Sequence, residues 1–346
     1  MLDNRYRIWL ADETISEFPG LSLVGALGKS YRPASLDDFG EATICFCQSK
    51  KAAQIDELLN KQIANAALIL HEQVKGEISA GRLEEFTRNS LVIFSSSYTP
   101  KAVFSLLLEQ QGPADKGQLL VLGEKAGAGN FPSCEIAPDC RIAVSARIGK
   151  GTIVASGAII GDNAAIGQNC IIGEGTMIYQ DVEMGDDVHV GPGSLVGSPV
   201  HANEQVETDR KFVDIPQIGG LVIGDDVRIG SQTVINRGTL SDTNLGDKIR
   251  LGDRVNIGHN AQIGDRVWIA AASIVCGSSI VGDDASVGIS AVIKNKMKIG
   301  EGAMVGAGSV IISDVPAREN TYPIPALGEK ALLTLMRLIS KAARRR

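Results

Sequence analysis

The chain has 346 residues, 44% apolar and 21% charged, which excludes a largely disordered polymer and leaves room for two domains or one long repetitive one. Its 34 basic and 40 acidic residues give a net charge of -6, which argues against a dedicated nucleic-acid binder. No stretch approaches the roughly 18 consecutive apolar residues of a membrane span. Residues Met1 to Arg7 lack the basic-then-apolar pattern of a secretory signal. The six cysteines include no CxxC pair and read as reduced thiols, so a cytoplasmic protein is expected.

Residues 1–112 hold 10 of the 15 aromatics but only 7 of the 39 glycines, so two architectures share the chain and join near Gln111-Gly112-Pro113. The first reads as a small α+β domain. Ala42 to Cys47 and Ser90 to Phe94 predict strands, and residues 51–64 and 100–110 predict helices. No glycine-rich phosphate loop follows either strand, which disfavours a nucleotidyltransferase. Cys45 and Cys47 alternate across a strand as ordinary packing.

From residue 113 to 313 a period of six takes over. Aliphatic residues recur without a break from Ile136 through Ile142, Ile148 and onward to Val196. They resume at Ile223, Ile229 and Ile235, and run again from Leu245 to Ile311, 26 repeats in all. Glycine often follows the aliphatic residue, and a small or β-branched residue such as Ala164, Cys170 or Thr233 lies four positions on. This is the hexapeptide pattern of a mainly β fold, the left-handed parallel β-helix. Aliphatic side chains fill a narrow prism, small residues fit its corners, and glycine or polar pairs make the turns. Such a prism has no room for rings, which accounts for the 4% aromatic content. At three hexapeptides per coil, 26 repeats predict between eight and nine coils.

The ladder is interrupted by a polar inserted loop at residues 197–222, and by a four-residue bulge, Thr239 to Asp242. In a solenoid, insertions map to loops and often to the binding face. The repeat stops at Asp314, Pro316, Pro323 and Pro325 mark an extended exit, and Leu327 to Arg346 predict a helix; residues 314–346 form this last segment.

Asp214-Ile215-Pro216-Gln217-Ile218-Gly219 leads into Val222 to Gly230, then into Ile235-Asn236-Arg237-Gly238-Thr239-Leu240-Ser241-Asp242-Thr243 and Ile257-Gly258-His259-Asn260-Ala261-Gln262-Ile263-Gly264. In this order and spacing the segments resemble the UDP-3-O-acylglucosamine N-acyltransferases of lipid A synthesis. Ala34 to Asp38 followed by Ile44-Cys45-Phe46 is similar to that family's uridine-binding domain. The resemblance implies a homotrimer with sites between adjacent β-helices, an acyl carrier protein as thioester donor and no bound cofactor. It places Phe46 in the nucleotide site, although Ser49 and Ala52 stand where the family has Asn and Tyr. Lys296 stands at the family's second active-site histidine, and Asn236 at the Asp of its Asp-Arg-Gly triplet. A paralogue acting on another sugar nucleotide, with acetyl-CoA as donor, stays open, as does a non-catalytic sugar-nucleotide-binding trimer.

Of the four histidines, His71 lies in an apolar stretch as a structural residue and His189 takes a routine surface position. His201 in the inserted loop is placed to reach a neighbouring subunit's cleft. His259 follows Ile257 on an outward corner inside the specific motif, as a general base would. Gly277 lies eighteen residues, one coil, beyond it, where a backbone N–H could hold an oxyanion. Asn236 and Arg237 fall one coil below, as candidates to hold the sugar or a phosphate. The spacing of 189, 201 and 259 is irregular against the coil, so no metal site is expected. Arg337, Lys341 and Arg344 either complement the helix dipole or steer an acidic carrier protein.

Overall fold

The aromatic-rich first part closes around a six-stranded sheet. The computed structural model describes residues 8–10, 21–25, 29–33, 43–47, 52–60, 63, 65–95, 99–111, 126, 128–205, 212–323, 330, 333, 334 and 337. Strands β1 (Ile8–Leu10), β2 (Leu21–Gly25), β3 (Lys29–Pro33), β4 (Thr43–Phe46), β5 (Ala67–His71) and β6 (Leu91–Ser95) take the order β1-β3-β4-β5-β6-β2. The run from β3 to β6 is parallel, and β1 and β2 are antiparallel edges. β6 is buried along its whole length, as a strand covered on both faces must be. Helices α1 (Ala52–Leu59) and α2 (Ala80–Thr87) contribute Ile55, Leu59 and Phe86 to the core on one face. On the other, α3 (Pro100–Gln111) supplies Val103, Phe104 and Leu107. That second core also takes in Ile218 and Leu240, which belong to the repetitive part of the chain.

From Glu135 onward, short strands stack into three parallel sheets of ten, nine and eight strands. Partners in uninterrupted coils are eighteen residues apart, as in Ile153 with Ile171 and Asn256 with Ile274. Every aliphatic repeat position from Val154 to Ile311 is buried in one continuous core. The small residues beside them, among them Ala164, Cys170 and Thr176, are buried too. Most small residues that carry a hydroxyl donate it to a carbonyl of the next coil, as Thr176 Oγ1 does to Gly191 O at 3.1 Å and Ser273 Oγ to Gly288 O at 2.8 Å. Such hydroxyls are paired in the inner coils, while the Ser309 hydroxyl in the last coil is buried without a partner among the described residues. Ile257→Ala, which empties a fully buried site in this close-packed prism, should cost about 2–5 kcal/mol, read as a loss in thermal or denaturant unfolding.

Two features depart from the sequence reading. The ladder continues beyond Asp314: Val315 bridges Ile299, and Asn320–Thr321 pairs with Met304–Val305. The six-residue rule fails there because Ala317 stands at the aliphatic position, while buried Val315 fills the core instead. The insertion, expected as a polar loop, contains an antiparallel pair, Asn203–Gln205 with Phe212–Asp214, that packs against α3. Its return limb buries Val213, Ile215, Gln217 and Ile218. Among the described residues, no helix is long and apolar enough to cross a membrane.

Candidate active site

The prism has three edges, and they are not alike. Along the edge that follows the eight-stranded sheet, the residue after the aliphatic position is glycine in every coil from Gly149 to Gly300. Along the edge that follows the ten-stranded sheet it is glycine or alanine. Close stacking explains this: a Cβ at Gly264 would lie 2.2 Å from an Asp283 oxygen. The edge that joins the nine-stranded to the eight-stranded sheet breaks the rule with Tyr179, Asn236, Cys276, Lys294 and Ile312. Both interruptions, after Ser198 and after Asn236, also leave from this edge. The irregular edge is where chemistry can be built.

His259 stands on it, half-buried, between strands Asn256–Ile257 and Gln262–Ile263. Its Nδ1 lies 2.8 Å from Asn260 Oδ1 and 3.2 Å from Thr239 Oγ1. The Asn260 amide is oriented by its neighbours: Nδ2 donates to Ser241 O, and Oδ1 accepts from the Thr239 N–H at 3.1 Å. Oδ1 is an acceptor only, so in the neutral imidazole Nδ1 carries the proton and Nε2 the lone pair. That Nε2 faces Gly277, where a Cβ would come within 2.5 Å of it. Only glycine leaves room for the ring.

The backbone of Gly277 completes the arrangement. On the neighbouring edge the equivalent N–H is capped by an aspartate of the next coil, Asp247 N–H to Asp265 Oδ1 at 2.9 Å and Asp265 N–H to Asp283 Oδ1 at 3.0 Å. The Gly277 N–H has no partner among the described residues, whereas its carbonyl accepts from the Lys296 N–H at 3.1 Å. A base nitrogen and an unspent N–H donor thus share one corner. Burial pushes the thiol of adjacent Cys276 above its ordinary value, which keeps it protonated and unsuited to act as a nucleophile.

The other expected residues divide. Lys296 is exposed two coils above Asn260 on the same edge, with φ of +65°. Asn236 and Arg237 lie one coil below His259, but their polar groups turn into the chain. The Asn236 amide donates to Ser198 O and Oγ at 3.2 and 3.1 Å. Arg237, 3% exposed, donates from Nε to Gly219 O at 2.6 Å and lies 3.7 Å from Asp181. Both therefore clamp the two ends of the insertion. His201 is exposed within the insertion, and His189 stands on the ten-stranded face, away from His259. Phe46 is half-buried at the end of β4, its ring centroid 5.3 Å from that of Phe104. Arg337 is exposed in a helical stretch, while Ser49, Lys341 and Arg344 lie outside the described residues. Asn260 and Thr239 sit within the motif that singles out His259, yet their part in orienting it shows only when the coils are stacked.

Fold and repeat define the class. Residues 163–198 match the bacterial transferase hexapeptide family (six repeats), and the chain is a hexapeptide-repeat parallel β-helix protein. It is a relative of the UDP-3-O-acylglucosamine N-acyltransferases. It is 33% identical over 131 residues to the one from a Caulobacter species, covering 38% of each chain. With the one from Shewanella denitrificans it shares 38% identity over 125 residues, 36% of each. The matched stretch thus spans less than two fifths of the length of these curated relatives. A UDP-N-acetylglucosamine acyltransferase structure from Campylobacter jejuni is 25% identical, covering 60% of this chain and 81% of that one, with a TM-score of 0.46.

Proposed function

We propose that this protein is an N-acyltransferase that moves an acyl group from a thioester carrier to the amine of a nucleotide-linked amino sugar. The observation that carries this reading is the placing of His259 Nε2 on one corner with a Gly277 N–H that has no partner among the described residues. The amine nitrogen attacks the thioester carbonyl, a C–N bond forms, and Nε2 takes the amine's proton. The Gly277 N–H holds the carbonyl oxygen as it becomes an oxyanion. Collapse breaks the C–S bond, and the imidazolium returns its proton to the departing thiolate. Similarity to the named acyltransferases supports the same chemistry.

A homotrimer with sites between adjacent prisms fits the outer face of the nine-stranded sheet. There Ile274 and Val310 are exposed, in line with half-buried Leu195 and Val234. Light scattering at micromolar concentration should give a trimer mass, and a monomer would count against sites shared between chains.

The test of function is a panel of UDP- and dTDP-amino sugars with acyl-carrier and CoA thioesters, products being read by mass. An N-acylated sugar nucleotide formed from the carrier thioester is the expected result. Acetyl transfer from CoA alone would select the acetyl-CoA reading, and no product from any pair would leave a binding trimer. Truncation after Leu335, which removes Arg337, Lys341 and Arg344, should raise the KM for the acidic carrier and weaken its salt dependence.

A further inference from the structure

The hydrogen bonds around His259 do not end at its first neighbours. The Thr239 hydroxyl, 3.2 Å from Nδ1, donates to Gln217 Oε1 at 3.1 Å. Gln217 is wholly buried, and its Nε2 donates to Ile215 O at 2.9 Å. A carbonyl can only accept, so this bond fixes which end of the Gln217 amide faces Thr239. Each group then has one polarity available. Gln217 accepts the only hydroxyl proton of Thr239, so Thr239 can meet Nδ1 only as an acceptor.

We propose that Gln217, acting through the Thr239 hydroxyl, is a positioning residue that holds His259 in the Nδ1–H tautomer, and that the N-terminal domain anchors this hold. If the Gln217 acceptor were lost, the Thr239 proton would be free to turn toward Nδ1. It would then compete with Asn260 and stabilise the Nε2–H tautomer, whose proton occupies the nitrogen that must act as base. The anchoring follows from the next residue in each segment. Ile218 follows Gln217 and Leu240 follows Thr239, and both are buried in the N-terminal core with Tyr31 and Phe104. The Ile218 N–H also bonds the Thr239 carbonyl at 2.8 Å, so the two segments move together. The inserted loop thus carries a support for the base from one domain to the other.

The role in turnover rests on the acyl-transfer reading, but the tautomer is readable without catalysis. The protein is labelled with [15N]histidine, and the His259 ring signals are assigned by their loss in His259→Ala. At a pH where the ring is neutral, wild type should show a protonated Nδ1 and a bare Nε2. Gln217→Ala should populate the Nε2–H form, and adding Thr239→Val, which removes the misdirected donor, should restore the wild-type pattern. A simple loss of packing would not be repaired by a second substitution. Gln217→Glu should also preserve the pattern, because a buried carboxyl stays neutral, accepts from Thr239 and donates to Ile215. Gln217→Met, of similar volume, replaces the alanine variant if that one does not fold. Leu240→Ala should loosen the hold and broaden or mix the His259 signals.

In the proposed reaction, kcat should fall about tenfold in Gln217→Ala with KM little changed, as for other groups that orient a functional histidine. An unchanged His259 spectrum in folded Gln217→Ala or Gln217→Met overturns the proposal. So does failure of Thr239→Val to restore it, and an unaltered spectrum in Leu240→Ala removes the domain link. Lack of transferase activity with this tautomer response intact would refute the functional reading alone.

Discussion

In the proposed reaction, His259→Ala should lower kcat about 10²- to 10⁴-fold, the range typical of losing a general base, with the oligomeric mass and the unfolding midpoint nearly unchanged. The side chain lies outside the apolar core, so its removal opens no cavity among the aliphatic layers. What goes is the imidazole whose Nε2 stands beside Gly277, the residue whose N–H is unspent among the described residues. Without it, the attacking amine of the proposed substrate must give its proton to water as the C–N bond forms. Steady-state kinetics on the sugar nucleotide identified by the panel would read the effect. Wild-type turnover in a folded His259→Ala protein would remove this mechanism.

Gly277→Ala should be nearly as damaging, for a steric reason. The added methyl would stand 2.5 Å from Nε2, closer than any real Cβ contact. The ring would have to swing away, breaking the 2.8 Å contact to Asn260 and leaving the oxyanion position. A fall of about 10²- to 10³-fold is expected, within the range of losing a general base, because the base is displaced. Because both substitutions disable one constellation, their effects should not add. Gly277→Ala in a His259→Ala background should cost little more than His259→Ala alone. Additive losses would show that glycine serves something other than the histidine.

The prism was legible because its rule is local. An aliphatic residue every six positions needs no knowledge of partners, and the eighteen-residue coil then places Gly277 over His259 by counting alone. The links between Gln217, Thr239 and Asn260 were not countable, since they cross coils lengthened to 22 residues by the bulge. Column position also says nothing of where a long side chain turns. Arg237 shares a column with His259, yet its guanidinium closes on Gly219 and Asp181 rather than projecting toward a ligand. In the N-terminal domain, β5 and β6 are apolar up to their last residues, His71 and Ser95, so burial on both faces erases any alternation. Their parallel order emerges only from pairing.

The irregular edge also bears on how this molecule can change length. Ile235 still faces Ile257 across the four-residue bulge, and Leu195 still faces Val234 across the long insertion. Residues can thus be gained or lost there while the count of six on either side is kept. A single deletion within a regular hexapeptide would instead send every following aliphatic residue out of the prism until the count recovered. Exchanging residues 199–212 for a shorter linker should therefore spare the solenoid, whereas removing Gly264 alone should not. The irregular edge is a place where this protein can acquire new sequence without renumbering its core.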